Sequence, residues 1–293
     1  MRPVFAQFLA NRYQEIKAEH PGKGRRYWHL RALYEFLASN PATPRDSELI
    51  ASPPESVMNT LTEDDDPCDV ILSDVIGGII LRTDFTDDEA WKLFTDKLEG
   101  TENENSGVGQ NTAYMGSSSA EASASTEATH ADVHDGDDSS DDSEDEAEQK
   151  LIKTINPIQS EERAMFQNIS NLRALRLFND VDIRPAPSVP DGSKRISPPN
   201  PLVDFAGWQE IYTGVTLWIY DTQSNTDHSA RLVSAEGDIY GTATGDSWRA
   251  QVSHIPHLQL DMTYENMKIN FGGMDRWDYS ERKRNLAEAI LEP

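Results

Sequence analysis

Hydrophobic positions in the first forty residues recur at the spacing of one helical face. Val4, Phe5, Phe8, Leu9, Tyr13 and Ile16 form one stripe. His20-Pro21-Gly22-Lys23-Gly24 interrupts it, because proline ends a helix and the glycines permit a turn. Tyr27, Leu30, Leu33, Tyr34 and Leu37 form a second stripe, closed by Asn40-Pro41. The pattern predicts a helical hairpin over residues 1–41. About forty residues rarely bury enough apolar surface to stand alone, so the hairpin should dock on the rest of the chain or on a partner. Residues 42–69, rich in Pro, Ser, Thr and Asp, read as a linker.

A strand pattern follows in Asp-Val-Ile-Leu-Ser-Asp-Val-Ile-Gly-Gly-Ile-Ile-Leu-Arg (69–82), then a helix. Thr86 and Glu89 have the spacing of a capping box, with Asp87 and Asp88 in the first turn, where the helix dipole favours negative charge. Ala90, Leu93, Phe94 and Leu98 supply the buried stripe. From residue 100 to 150 the chain is Ser, Gly, Asn, Ala and acids, a composition that cannot fill a core and predicts a disordered insertion. Periodicity resumes at 159–178, read as one helix capped by Ser160. Residues 182–201 read as a proline-rich loop. Beyond them, 214–222, 230–234, 238–243, 248–255, 258–264 and 266–271 all carry strand or hairpin signals. Asp278, with Glu281 three residues on, starts a final helix. The fold class expected is α+β: an antiparallel-rich sheet with flanking helices, split into 70–99 and 151–293 by the acidic insertion and preceded by the hairpin.

Charge adds segregation to this picture. The chain has 293 residues and a formal net charge of −25, yet residues 1–45 hold eight Lys/Arg against three acids. Lys23, Arg25, Arg26 and Arg31, interleaved with Tyr27 and Trp28, are therefore candidate basic contact residues. The overall acidity argues against nucleic acid as a partner. The block 132–148 carries ten acids; it reads as a solubilising linker or as a polyanion that attracts basic proteins. Within it, Ser139 and Ser143 each precede an acid three residues on, the pattern of an acid-directed phosphorylation site. Cys68 is the lone cysteine, so neither an internal disulfide nor a multi-thiolate zinc site is expected. No apolar run reaches the roughly 20 residues of a membrane span, and the opening residues lack a secretory core, so a cytoplasmic or nuclear location is expected.

Candidate chemistry is sparse. Gly-x-Ser-x-Gly, His-Glu-x-x-His and Gly-x-Gly-x-x-Gly are absent. His254 and His257 lack a third ligand and straddle Pro256, which favours a bend. No metal or cofactor is expected. Helix initiation accounts for most of the acidic cluster at 84–89, leaving Arg82 and Asp84 at the strand end as a possible ligand pair. The stretch Ile80-Leu-Arg-Thr-Asp-Phe-Thr-Asp-Asp-Glu-Ala-Trp91 resembles the opening of an uncharacterised family of small bacterial and fungal domains, with its Arg-Thr-Asp-Phe-Ser/Thr-Asp motif followed by Ala-Trp. Residues 248–279 resemble that family's closing segment. The resemblance implies a fold and no activity. The expected function is non-enzymatic and intracellular, through contact with a protein partner. The alternatives are an enzyme or accessory protein of a metabolic pathway with a pocket near Arg82 and Asp84, an acidic chaperone for basic proteins, and nucleic-acid contact through the hairpin.

Overall fold

The computed structural model describes residues 1–39, 41–47, 50–112, 150–188, 199–237, 242–272 and 278–291, without the side chains of 46–47 and 104–112. The hairpin is α1 (Pro3–Glu19) and α2 (Arg25–Ala38); three short helices follow, α3 (Pro44–Ser47), α4 (Glu55–Thr62) and α5 (Asp69–Leu72). Then come β1 (Val75–Arg82), α6 (Asp88–Thr112), β2 (Lys150–Ile155), α7 (Ser160–Phe166), α8 (Asn171–Phe178), β3 (Asn179–Pro185) and β4 (Trp208–Gly214). The chain continues through β5 (Thr216–Tyr220), α9 (Ser224–Asp227), β6 (Ser229–Val233), β7 (Ser247–Gln251), α10 (Ile255–Tyr264) and α11 (Tyr279–Glu288). No described helix is long and apolar enough to cross a membrane.

The fold is α+β. One five-stranded sheet has the order β2-β1-β5-β6-β7, and β3 pairs with β4 in a separate antiparallel ribbon. β1 runs parallel to both its neighbours, whereas β6 is antiparallel to both β5 and β7. A strand with neighbours on both edges and layers on both faces must be apolar throughout, and Ile79, Ile80 and Leu81 are fully buried. Side chains alternate between the faces. Ile80, Trp218, Tyr220, Ala230 and Leu232 meet Trp91, Phe94 and Leu98 of α6 and Ile255 of α10. Ile79, Leu81, Leu217, Ile219 and Val233 share the other core with the hairpin, α8 and the β3–β4 ribbon. The hairpin is thus a layer of the domain: Phe36 packs edge-on against Trp208 at 6.2 Å, and Trp208 Nε1 donates to the Ala42 carbonyl at 3.0 Å.

α10 corrects the strand expected at 258–264. Leu-Gln-Leu-Asp-Met alternates, but Leu258 and Met262, with Ile255 before them, also fit a helical face, and Pro256 in the first turn favours helix start. Gln259 is fully buried; its Oε1 accepts from Trp218 Nε1 at 2.9 Å and its Nε2 donates to Thr263 Oγ1 at 3.0 Å. It lies against Gly77-Gly78 of β1, where a Cβ on Gly78 would stand 2.6 Å from Gln259 Oε1. The paired glycines therefore admit a helix against the strand backbone. Residues 266–270 form no strand either. The single helix expected at 159–178 is two, broken where Asn168 takes a φ of +50° and donates its N–H to the Thr83 carbonyl at 2.9 Å. Ser160 does not cap α7; Ser170 caps α8 by accepting from Arg173 N. The helix expected to stop near residue 99 continues to Thr112, and 113–149 lie outside the described residues.

The segment 42–69 is more than a linker, because its carboxylates neutralise the hairpin. Asp66 accepts from the backbone N–H of Arg26 at 3.0 Å and from its Nη1 at 2.7 Å, while Asp69 takes Nη2 at 2.6 Å. Arg25 donates to the Asp64 carbonyl at 3.1 Å and pairs with Asp180 of β3. Lys17 pairs with Asp64 at 2.6 Å. Beside this cluster His29 is 1% exposed, and its Nε2 donates to the Leu61 carbonyl at 2.9 Å. Burial, the largest influence, together with Arg25 holds its pKa down to about 4, against the opposing pull of Asp180 and Asp66.

Two predictions follow from this packing. Gly78→Ala should lower stability by about 2 kcal/mol, because the methyl overpacks a site walled by Gln259 and backbone; urea unfolding measures it. The second concerns pH. His29 titrates near 4 when folded and near 6.5 when unfolded, so the unfolded chain binds the extra proton between those values. Stability present above pH 6.5 is therefore lost as pH falls towards 4, by on the order of 3 kcal/mol at about 1.4 kcal/mol per unit. His29→Gln keeps a donor for Leu61 and should flatten that slope in unfolding curves between pH 7 and 4.

Candidate ligand site

Sheets of this kind commonly hold ligands beyond the carboxyl ends of parallel strands, where the strand order reverses. Here that place is the exit of β1 and β5. Arg82, the last residue of β1, is 1% exposed. Its Nε donates to the Asp84 carbonyl at 2.9 Å, its Nη2 to the Asp87 carbonyl at 3.0 Å and its Nη1 to Asn156 Oδ1 at 3.3 Å. Nη1 also pairs with Asp88 at 2.7 Å, and the rings of Phe85 and Trp91 lie 5.2 and 5.3 Å from the guanidinium carbon. Asp84 is equally committed. Its Oδ1 accepts from Thr86 N and Asn225 Nδ2, both at 2.9 Å, and from the Thr86 hydroxyl; its Oδ2 accepts from Thr222 Oγ1 at 2.6 Å. Burial raises its pKa, but these hydrogen bonds outweigh burial and hold it at about 2. The carboxylate thus accepts four hydrogen bonds, three at Oδ1 and one at Oδ2. The pair expected to bind a ligand thus joins β1, the start of α6, β2 and the β5–α9 turn. The expected cap is displaced by one residue: Asp87 Oδ1 accepts from Ala90 N at 2.8 Å, while the Thr86 hydroxyl goes to Asp84.

The basic candidates are divided. Arg25 and Arg26 are each 7% exposed and ion-paired, so they present no contact surface. Lys23 is exposed over the Tyr27 ring at 5.2 Å, and Arg31 is half-buried 3.9 Å from Glu35. Trp28, expected to be interleaved in a basic surface, is buried. Ser139 and Ser143 lie outside the described residues. His254 and His257 are exposed, and among the described residues no group of three or more side chains could hold a metal.

A second candidate site lies elsewhere. A cavity of about 640 Å³ lies between the β3–β4 ribbon, the start of β5 and the end of β6, bordered by residues 262–271. This is the end of the sheet opposite Arg82. Its walls are largely apolar, including Tyr212, Leu217, Val233, Ile269 and Phe271. Asn179 lines it and is 2% exposed, and among the described residues neither Oδ1 nor Nδ2 of its amide has a hydrogen-bond partner. Local structure fixes that side chain. Asn179 is the C-cap of α8, its N–H donating to the Leu175 carbonyl, and it is also the first residue of β3, opposite Gly214. Gly214 has a φ of +141°, and a Cβ there would come within 2.4 Å of Asn179 Oδ1. Glycine thus leaves room for the amide. Arg184, also in the lining, donates to Gln209 Oε1 at 2.9 Å and pairs with Glu236 at 3.0 Å. Lys268, exposed at the same cavity, has no ion pair among the described residues.

The β4 wall is held from behind. Arg176 of α8 donates from Nε to Tyr212 Oη at 3.1 Å and from Nη2 to Glu210 Oε1 at 3.2 Å and Tyr34 Oη at 2.6 Å. Tyr34 donates in turn to the Ala289 carbonyl at 2.7 Å. Burial first, and then Glu210, push the Tyr212 phenol far above its ordinary pKa, so it stays neutral. The hairpin, α8, β4 and the end of α11 meet in this network, which fixes Tyr212 at the cavity. The sequence pattern ends a helix at Phe178, just before Asn179, and starts a strand at Gly214, and nothing in it joins the two residues that the ribbon sets opposite each other.

Comparison with protein-family models, with curated proteins and with solved structures gave no match to the chain. At the strand-end junction, Asp87→Ala should cost about 1 kcal/mol, the usual value of a helix cap. Asp84→Asn, which replaces a charged acceptor of four hydrogen bonds by a neutral amide, should cost about 1–3 kcal/mol. Urea unfolding checks both, and neither substitution should alter binding at the cavity.

Proposed function

We propose that the protein is a non-enzymatic binding protein that holds a small molecule in the cavity between the β3–β4 ribbon and β5–β6. The observation that carries this reading is the Asn179 amide, buried with both polar atoms unpartnered in the lining of that cavity. A buried amide without partners costs roughly 1–3 kcal/mol, so such a group is expected to have a partner in the working protein. The cavity of about 640 Å³ is of the size that encloses small ligands, roughly 300–1,000 Å³, and an apolar wall with a few fixed polar groups is the usual make-up of such sites. The polar groups present, an amide, a neutralised guanidinium and an ammonium, suit recognition. Contact with a protein partner through the basic hairpin loses its support, because Arg25 and Arg26 are turned inward and paired.

Asn179→Leu separates a binding role from a structural one. Leucine has nearly the shape of asparagine and carries no unpaired polar atom, so the ligand-free variant should be as stable as the parent or about 1 kcal/mol more stable. A screen of a metabolite library by methyl NMR, observing Leu217, Val233 and Ile269, should find compounds that shift these signals in the parent and not in the variant. If no compound shifts them, and no small molecule is released on denaturing protein purified from its native source, the proposal fails. A variant that loses several kcal/mol would instead mark Asn179 as a structural residue.

A further inference from the structure

Resting on that reading, we infer that the ligand is a mononucleotide: a planar base read at its edge by Asn179, with a phosphate at Lys268. The side-chain amide of asparagine presents one acceptor and one donor side by side in one plane. Satisfying both atoms with a single molecule requires the complementary pair, a donor beside an acceptor on a rigid edge. Nucleobases carry such edges, and bidentate pairing of asparagine with adenine is the familiar case. A carboxylate offers acceptors only and would leave the amide oxygen bare, and adjacent sugar hydroxyls, which can serve both atoms, do not match the apolar walls.

The surroundings fit a flat apolar ring. Tyr212 and Phe271, with Ile269 and Val215, give the cavity aromatic and aliphatic walls, which contact the faces of a base without demanding hydrogen bonds. The position of Tyr212 is set by Arg176 and Glu210 and does not depend on a ligand. Selectivity for an anion comes from the charge arrangement. Arg184 is already paired with Glu236, whereas Lys268 has no ion pair among the described residues and is exposed at the same cavity. An ammonium on a flexible stem at the cavity border is a point-charge partner for phosphate. The base would be enclosed and the phosphate would stay near solvent, which spares the phosphate the cost of burial.

The test is calorimetry on the full chain with the 5′-monophosphates of adenosine, guanosine, cytidine and uridine, their nucleosides, and ribose 5-phosphate. At least one monophosphate should bind at one site per chain, and its nucleoside about tenfold more weakly. Ribose 5-phosphate should not bind detectably. Lys268→Ala, an exposed position that should leave the fold unchanged, should reduce the monophosphate to the affinity of its nucleoside. Asn179→Leu should abolish binding of both with no loss of thermal stability. Ribose 5-phosphate binding as well as the monophosphate would overturn the edge reading, and a monophosphate unaffected by Lys268→Ala would overturn the phosphate assignment. If other compounds shift the Val233 and Ile269 methyl signals while none of the four monophosphates does, the nucleotide assignment fails and the binding function stands. Unmoved signals with every compound would overturn both.

Discussion

A guanidinium buried at the end of β1 governs the architecture. Arg82 is almost wholly removed from water, and a charged group left unpaired there would cost several kcal/mol. Its partners come from the turn that follows β1, from the first residue of α6 and from the residue after β2, so satisfying one side chain fixes both ends of the β1–α6–β2 crossover. Asp84 extends the joint to the loop after β5 through Thr222 and Asn225. In consequence the protein's own groups fill the strand-end crevice where parallel sheets usually hold a ligand. Tyr220 completes the plug, with Trp91 and Phe94 edge-on to its ring at 4.8 and 5.0 Å. The cavity lined by Asn179 lies at the other end of the sheet.

What the sequence disclosed and what it hid follow from the range of the interactions involved. The hairpin stripes and the Asp278 cap of α11 depend on neighbours within a few residues and are found where the pattern puts them, whereas the strand expected from residue 69 begins only at Val75, its first residues forming α5. The cap of α6 went to Asp87 because a distant arrangement decided it: Asp84, held by Thr222 and Asn225, takes the hydroxyl that would have capped the helix. α10 was hidden by a sequence that satisfies two periodicities, and the arbiter was Gln259 fitting against the Gly77-Gly78 backbone. The β3–β4 ribbon was hidden because its strands flank a proline-rich stretch and pair across it.

Charge misled in an instructive way. Counting residues gives a basic hairpin beside an acidic remainder, and a basic segment suggests a contact surface. Burial reverses that inference. Arg25 and Arg26 sit at the start of α2 and are neutralised by Asp66, Asp69 and, from β3, Asp180, while Asp64 pairs with Lys17 and lends Arg25 its backbone carbonyl. Gly24 lies so close to Asp66 that a Cβ there would meet its carboxylate at 2.3 Å. The charge segregation is the mark of an internal clasp between the hairpin, residues 61–69 and the ribbon.

That clasp bears on the cavity. The β3–β4 ribbon is gripped on its outer face by Arg25 at Asp180, and on its inner face by Arg176 at Glu210 and Tyr212. A wall held from both sides gains affinity by preorganisation, because little of it has to be ordered when a molecule enters. Glu210 Oε2 in the same ribbon is also without a partner, but Asn179 differs in having both of its polar atoms bare among the described residues. Almost every local choice in the ribbon agrees with the fold, from the apolar Val181 and Ile183 to the glycine that faces Asn179. An asparagine that leaves both polar atoms bare contradicts that agreement, and contradictions of this kind are kept where function requires them. A leucine would satisfy the packing of this position; on the proposed reading, a bound molecule satisfies the asparagine.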